Sequence, residues 1–142
     1  MKRVLILISS IVVGGCVASQ QSVVTDVDVM GWGDPKYVIM NNKDTSTLRN
    51  IELFVRYSPS LVDDSVTLTI NTMAPDSLTF SEEVKLYFDS SATERSASIV
   101  ENFPYRNNVV WSQQGSYHME ITPTTPISGI EAVGVTITKT TQ

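Results

Sequence analysis

A chain of 142 residues with 15 acidic and 10 basic side chains is one domain's worth of polypeptide at a formal charge of −5. A net-negative surface repels phosphate backbones, which excludes nucleic-acid binding by charge. One cysteine excludes an intramolecular disulfide, and one histidine excludes a zinc site of three or four His or Cys ligands, so packing alone must hold the fold.

The chain opens with the basic pair Lys2-Arg3, an apolar run from Val4 to Val13, two small residues Gly14-Gly15, and Cys16. That order is a signal peptide's: basic n-region, apolar h-region, small residues for a peptidase cleft. A bilayer core needs about 20 apolar residues, and this run offers roughly half that, broken by Ser9 and Ser10, so it is no transmembrane span. The Gly-Gly-Cys ending resembles the lipobox of bacterial lipoprotein signals. The resemblance implies a diacylglyceryl thioether on Cys16, cleavage before it, and acylation of the new amino terminus. Cleavage after Ala18, with Cys16 and Ala18 filling an A-x-A-like site, is the alternative and would discard the thiol.

Cutting before Cys16 divides the chain into a signal (residues 1–15), a lipidated tether (16–22) and a single domain (23–142). Lys2 and Arg3 leave with the signal, so 8 basic residues face 15 acidic ones, a net charge near −7. The tether, VASQQS, is small and polar. It has no acidic run after the cysteine, and position 17 is Val rather than Asp. By the resemblance to lipoprotein sorting signals, these features imply an outer-membrane anchor facing the periplasm.

Beyond the tether, apolar and polar residues alternate with period two, the signature of strands with one wet face. The pattern predicts strands over Val24–Val29, Tyr37–Asn41, Ile51–Tyr57, Ser65–Asn71, Val84–Asp89, Ala97–Glu101, Tyr117–Ile121 and Val133–Lys139. Phe54, out of phase with Ile51, Leu53, Val55 and Tyr57, marks the third strand as central and covered on both sides. The regular last strand is expected at an edge, with Lys139 discouraging further pairing. Turn chemistry falls between strands at Gly31-Trp32-Gly33-Asp34-Pro35, Ser58-Pro59-Ser60, Ala74-Pro75-Asp76 and Thr122-Pro123. No window repeats apolar residues at helical spacing. The fold class is all-β: an antiparallel β-sandwich of about eight strands, immunoglobulin-like or jelly-roll-like.

Three features together resemble the gliding-motility lipoprotein H family of Bacteroidetes. They are the lipobox, the strand Asn50-Ile51-Glu52-Leu53-Phe54-Val55, and Gly115-Ser116-Tyr117-His118-Met119-Glu120-Ile121 followed by Gly129-Ile130-Glu131-Ala132-Val133-Gly134-Val135. The family's arginine-containing loop before the last strand is replaced here by Pro123-Thr124-Thr125-Pro126. The resemblance implies a non-enzymatic envelope lipoprotein linked to gliding motility and its secretion apparatus. It also implies turn glycines at Gly115 and Gly129, and core-facing Tyr117 and Ile121.

Catalytic constellations are incomplete. Ser116, His118 and Glu120 share one strand face, but residues two apart on a strand stand about 6.6 Å from each other, too far for a nucleophile-to-base hydrogen bond. His118 is therefore read as a solvated strand residue. Asp63-Asp64 and Asp26-x-Asp28 lack the loop spacing that wraps calcium, and the neighbours Glu82-Glu83 point to opposite faces. A hydrolase would require Glu82 or Asp63 to meet His118 in a cleft.

The expected protein has no catalytic residue, no metal, and no cofactor beyond the covalent fatty-acyl lipid on Cys16. Its partners are the bilayer, through the anchor, and envelope proteins docking on loops and an acidic sheet face. Trp32 and Tyr105 are the candidate contact residues. If their rings stand exposed and coplanar on one face, a carbohydrate-binding module is the alternative function. Trp111, beside Val109-Val110, is read as a plug at an open end of the sandwich.

Overall fold

A computed structural model describes residues 20–89 and 97–140, which form eight strands and no helix. Cys16, with the signal and the first part of the tether, lies outside the described residues. The strands are β1 (Gln20–Asp26), β2 (Lys36–Asn42), β3 (Arg49–Tyr57), β4 (Ser65–Met73), β5 (Thr79–Tyr87), β6 (Ile99–Val109), β7 (Gly115–Pro123) and β8 (Ile130–Lys139). They pair antiparallel in two four-stranded sheets, ordered β1-β8-β3-β6 and β2-β7-β4-β5. The all-β sandwich expected from the alternation is the fold.

Only β4 and β5 are joined as a hairpin; every other connection crosses from one sheet to the other. That winding is two interlocked Greek keys, so of the two expected architectures the strand order is the jelly roll's. The hairpin turn closes through Ala74 N donating to Leu78 O (2.9 Å), with Ser77 in the left-handed region at φ 70°.

Alternation decides which face of each strand is dry. In β3 the odd-numbered residues from Arg49 to Tyr57 are buried while the even ones are half-exposed, and Val66, Leu68 and Ile70 of β4 pack across the layer. Tyr117, Met119 and Ile121 of β7 and Val133, Val135 and Ile137 of β8 complete the interior, so Tyr117 and Ile121 face the core as expected. Gly115 and Gly129 have φ of 124° and 98°, the left-handed backbone a turn glycine supplies.

β3 lies between β8 and β6 and is central, as Phe54 indicated; Phe54 itself is half-buried. β8 corrects the expectation of an edge, because it sits between β1 and β3. Its outward residues Ala132, Gly134 and Thr136 are small enough to be covered by neighbouring strands, and all three are buried. Thr136 donates its hydroxyl to Asn102 Oδ1 (2.9 Å) and accepts from Ser22 Oγ (3.0 Å), a polar ladder running across the sheet.

Strand ends moved where local signals conflicted with pairing. β1 begins at Gln20, inside the segment read as tether, because Gln20, Gln21 and Ser22 pair with Thr138, Ile137 and Thr136. β6 runs eight residues beyond Glu101, through Pro104, since at a sheet edge a missing N–H removes no ladder bond. A bulge against Ile51 and Glu52 of β3 absorbs the irregularity.

Candidate functional site

The two ends of the sandwich differ. At one end Trp32 is 0% exposed: its backbone exchanges hydrogen bonds with Ile127 (2.8 and 2.9 Å), and its indole Nε1 donates to Asp34 O (2.7 Å). Gly33 lets the chain approach Pro126, whose Cγ would stand 3.2 Å from an added Cβ. Trp32 therefore seals the core and offers no ring to a partner, which corrects its candidacy as a contact residue. Of the two flanking glycines, Gly33 serves this close packing, while Gly31 stands in open space.

The other end is open. There the start of β1, the end of β8, the end of β2 and the segments 43–48 and 110–114 surround a cavity of about 410 Å³. Its walls include Arg49, Lys43, Lys139, Asp44, Trp111 and Met40. Asn42, 3% exposed, holds the rim by donating from Nδ2 to Trp111 O (3.1 Å) and Gln113 O (2.7 Å), while its Oδ1 accepts from Asp44 N (3.2 Å). Gln113 in turn exchanges two hydrogen bonds with Asp76 of the β4–β5 turn.

Arg49 is the charged residue buried in this end, at 6% exposure. It occupies the inward phase of β3 directly before Ile51, so the same alternation that builds the core drives it inside. Nη1 and Nη2 both donate to Asp44 O (3.1 Å each), and Nη1 also donates to Thr47 O (3.4 Å). The guanidinium stands 5.2 Å above the Trp111 ring, a cation–π contact, and Trp111 stacks on Tyr117 at 4.9 Å and 22°. Among the described residues no carboxylate pairs with Arg49.

Asp44 is the acid of the wall, but its oxygens are spent locally. They accept from Thr47 Oγ1, Ser46 N (2.9 Å), Ser46 Oγ (2.9 Å) and Thr47 N (3.3 Å). The Thr47 hydroxyl first, then the Ser46 amide and hydroxyl, hold its carboxyl well below the usual carboxylate range.

Tyr105 lies on the far side of Trp111, half-buried over a second, mostly apolar hollow of about 210 Å³ that also meets Phe80, Val109 and Met119. Its hydroxyl donates to Glu82, which also pairs with Arg106, and the Arg106 guanidinium stacks 4.4 Å from the Tyr105 ring. Burial, then the Glu82 carboxylate, pushes the Tyr105 hydroxyl up. Burial works to raise Glu82, but the hydrogen bonds from Arg106 and Tyr105 outweigh it and leave the carboxyl low. The ring of Tyr105 is thus committed within the protein and is not coplanar with an exposed Trp32.

His118 is exposed on the outer face of its sheet, between Ile39 of β2 and Met73 of β4. Ser116 donates to Asn41 Oδ1 (2.7 Å) and Glu120 accepts from Asn71 Nδ2 (3.1 Å), so each is engaged away from His118. Glu82 points to the inner side of the same sheet, and Asp63 sits in the β3–β4 connection at the Trp32 end. Neither meets His118. Asp26 pairs with Arg56 (3.2 Å), while Asp28 caps the Met30 amide (2.9 Å). Among the described residues no three His, Cys, Asp or Glu side chains converge on a metal-sized space.

Sequence reasoning took Trp111 as a plug and passed over Arg49. The signal for Arg49 was present: a charge in phase with the apolar row Ile51, Leu53, Val55 and Tyr57 marks an inward cation.

No family model and no curated protein matches the chain. Among solved structures, the fold is similar to the infectious bursal disease virus VP2 subviral particle, at TM-score 0.44 and 14% identity over 86% of this chain. A structure of the Gx strain of infectious bursal disease virus gives TM-score 0.40 and 12% identity over 85% of this chain. Dimeric latent PorU from Porphyromonas gingivalis gives 0.32 and 9% over 85%. The chain spans about a third of the two viral chains (33% and 32%) and 12% of the PorU chain.

Proposed function

We propose that this protein is a lipid-anchored component of the bacterial cell envelope with a structural or assembly role and no catalysis of its own. Acylated Cys16 tethers it to the outer membrane, facing the periplasm, and other envelope proteins are its partners, as the resemblance to the gliding-motility lipoproteins implies. The burial of Trp32 carries the choice between this reading and a carbohydrate-binding module. Sugar recognition by stacking needs exposed aromatic faces, and here one ring is sealed while the other is held by Glu82 and Arg106.

A surface suited to protein docking supports the same reading. Tyr37 (63% exposed) and Ile39 (50% exposed) stand on the outer face of the edge strand β2, level with His118 and Met73 across the sheet. An aromatic and two aliphatic side chains grouped on a wet face are the composition of a binding patch.

The test has two arms on intact cells. A fatty-acid probe should label the protein, and Cys16→Ser should abolish the label; label surviving that change overturns the anchor. Crosslinking of intact membranes should recover an envelope motility or secretion protein joined near Tyr37 and Ile39. Recovery of the isolated protein alone, together with its retention by a glycan array, overturns the assembly role in favour of sugar binding.

A further inference from the structure

We infer that the cavity at the open end of the sandwich is a binding site for an organic oxyanion, a carboxylate or phosphate group carried on a compact, partly apolar body. This goes beyond the envelope role and stands on the sandwich itself, whether or not Cys16 is acylated.

The charge of the walls argues for an anion first. A protein of net charge −5 has gathered Arg49, Lys43 and Lys139 around one hollow, against the single carboxylate of Asp44. That carboxylate is turned to its own loop, where Ser46 and Thr47 cap it, and it offsets one of the three positive charges, so the walls remain net positive. Arg49 is 94% withdrawn from water, and its hydrogen-bond acceptors are all neutral carbonyl oxygens. A buried cation without a counter-ion is unfavourable unless something negative joins it.

The geometry of Arg49 then selects the kind of anion. Asp44 O takes one donor from each terminal nitrogen and so occupies the end of the fork, and Thr47 O takes a further Nη1 donor. Of the five N–H groups of a guanidinium, the parallel pair on the Nε–Nη2 side has no protein acceptor among the described residues. That side of the fork matches two oxygens of a carboxylate or phosphate. Trp111 fixes the plane of the guanidinium from one side, and the Tyr117 stack fixes Trp111 in turn, so the donors are pre-arranged.

The remaining walls say what carries the anion. Val23, Met40, Ile137 and the Trp111 ring give an apolar lining, and a space of about 410 Å³ is of small-molecule size. Lys43 and Lys139, both exposed, stand at the mouth, where they would draw an anion in more than hold it. The ligand is either a soluble metabolite-sized acid or the phosphate head of a lipid, and both present the same two-oxygen face.

The test uses the purified full chain, with Trp emission as the readout. Trp111 lines the cavity, while Trp32 lies sealed at the opposite end and stays silent. Phenyl phosphate or benzoate should change the emission saturably, and neutral benzamide should not. Arg49→Gln should weaken anion binding by about tenfold or more, the size expected for losing a charged hydrogen-bonding partner. Should Arg49→Gln fail to fold, the surface pair Lys43→Ala with Lys139→Ala leaves the core untouched, and it should lower affinity severalfold and flatten its salt dependence. No saturable response to either anion, equal response to benzamide, or unchanged affinity in a folded Arg49→Gln protein overturns the site. Phosphatidic acid vesicles that displace phenyl phosphate, where phosphatidylcholine vesicles do not, support the site with a lipid head as ligand. Failure of both to displace it supports the site with a soluble acid.

Discussion

Gly134 runs so close to Val23 that a methyl group on its Cα would stand 2.1 Å from the Val23 carbonyl oxygen and 2.7 Å from Val24 Cα. The obstacle is backbone, which cannot swing aside as a side-chain tip would. Gly134→Ala must therefore push β1 off β8 or bend β8 within the sheet. The expected loss is about 3 kcal/mol, at the upper end of overpacking costs. Urea unfolding checks it, and a midpoint equal to the unsubstituted protein's would refute the close approach.

Asn42→Ala tests the rim. The change leaves the carbonyls of Trp111 and Gln113 and the amide of Asp44 without their partner. Stranding buried polar groups costs on the order of 2 kcal/mol, and the segment 110–114 should loosen. Amide exchange around Trp111 should quicken while exchange near Trp32 stays as it was.

Trp32→Ala empties the sealed end and should cost about 3–5 kcal/mol. Because Trp32 and Arg49 sit at opposite ends, the surviving folded fraction should bind phenyl phosphate as the parent does. Loss of stability together with loss of anion affinity would show that the two ends are coupled.

The Tyr105–Glu82–Arg106 cluster sets a pH window. Glu82 titrates lower folded than unfolded, so its contribution is present above the ordinary value of 4.5 and fades as pH falls through the folded one. Tyr105 titrates higher folded than unfolded, so its contribution is present below the ordinary 10.0 and is lost as pH rises through the folded value. The melting temperature should hold a plateau between about pH 5 and pH 9. Tyr105→Phe should shrink the alkaline decline, and Glu82→Gln should shrink both declines; a decline that neither change alters would place its origin elsewhere.

Much of this fold can be read from the alternation alone, and the exceptions have physical causes. Period two placed all eight strands, because each buries one face and exposes the other. It stopped β6 at Glu101, since Pro104 and the pair Asn107-Asn108 look like breakers to any local reading; only the edge position makes them tolerable. It misjudged β8 for the opposite reason: local pattern carries no information on which strands come to lie on either side. The site was harder still. Trp32 attracted notice by its turn, whereas Arg49 stood in an apolar row where a charge is easily passed over, and the closure of Asp44 on Ser46 and Thr47 appears only in three dimensions.

The last strand in the sequence is an interior one, wedged between the first and the third. A chain delivered amino end first, from a ribosome or through a translocation pore, therefore cannot finish that sheet until Lys139 has emerged. Until then β1 has no strand to pair with, and the nascent polypeptide stays pliable enough to thread a narrow channel. Truncation of the final ten residues should then leave no half-folded remnant, because the missing piece is the one that joins both halves of the layer.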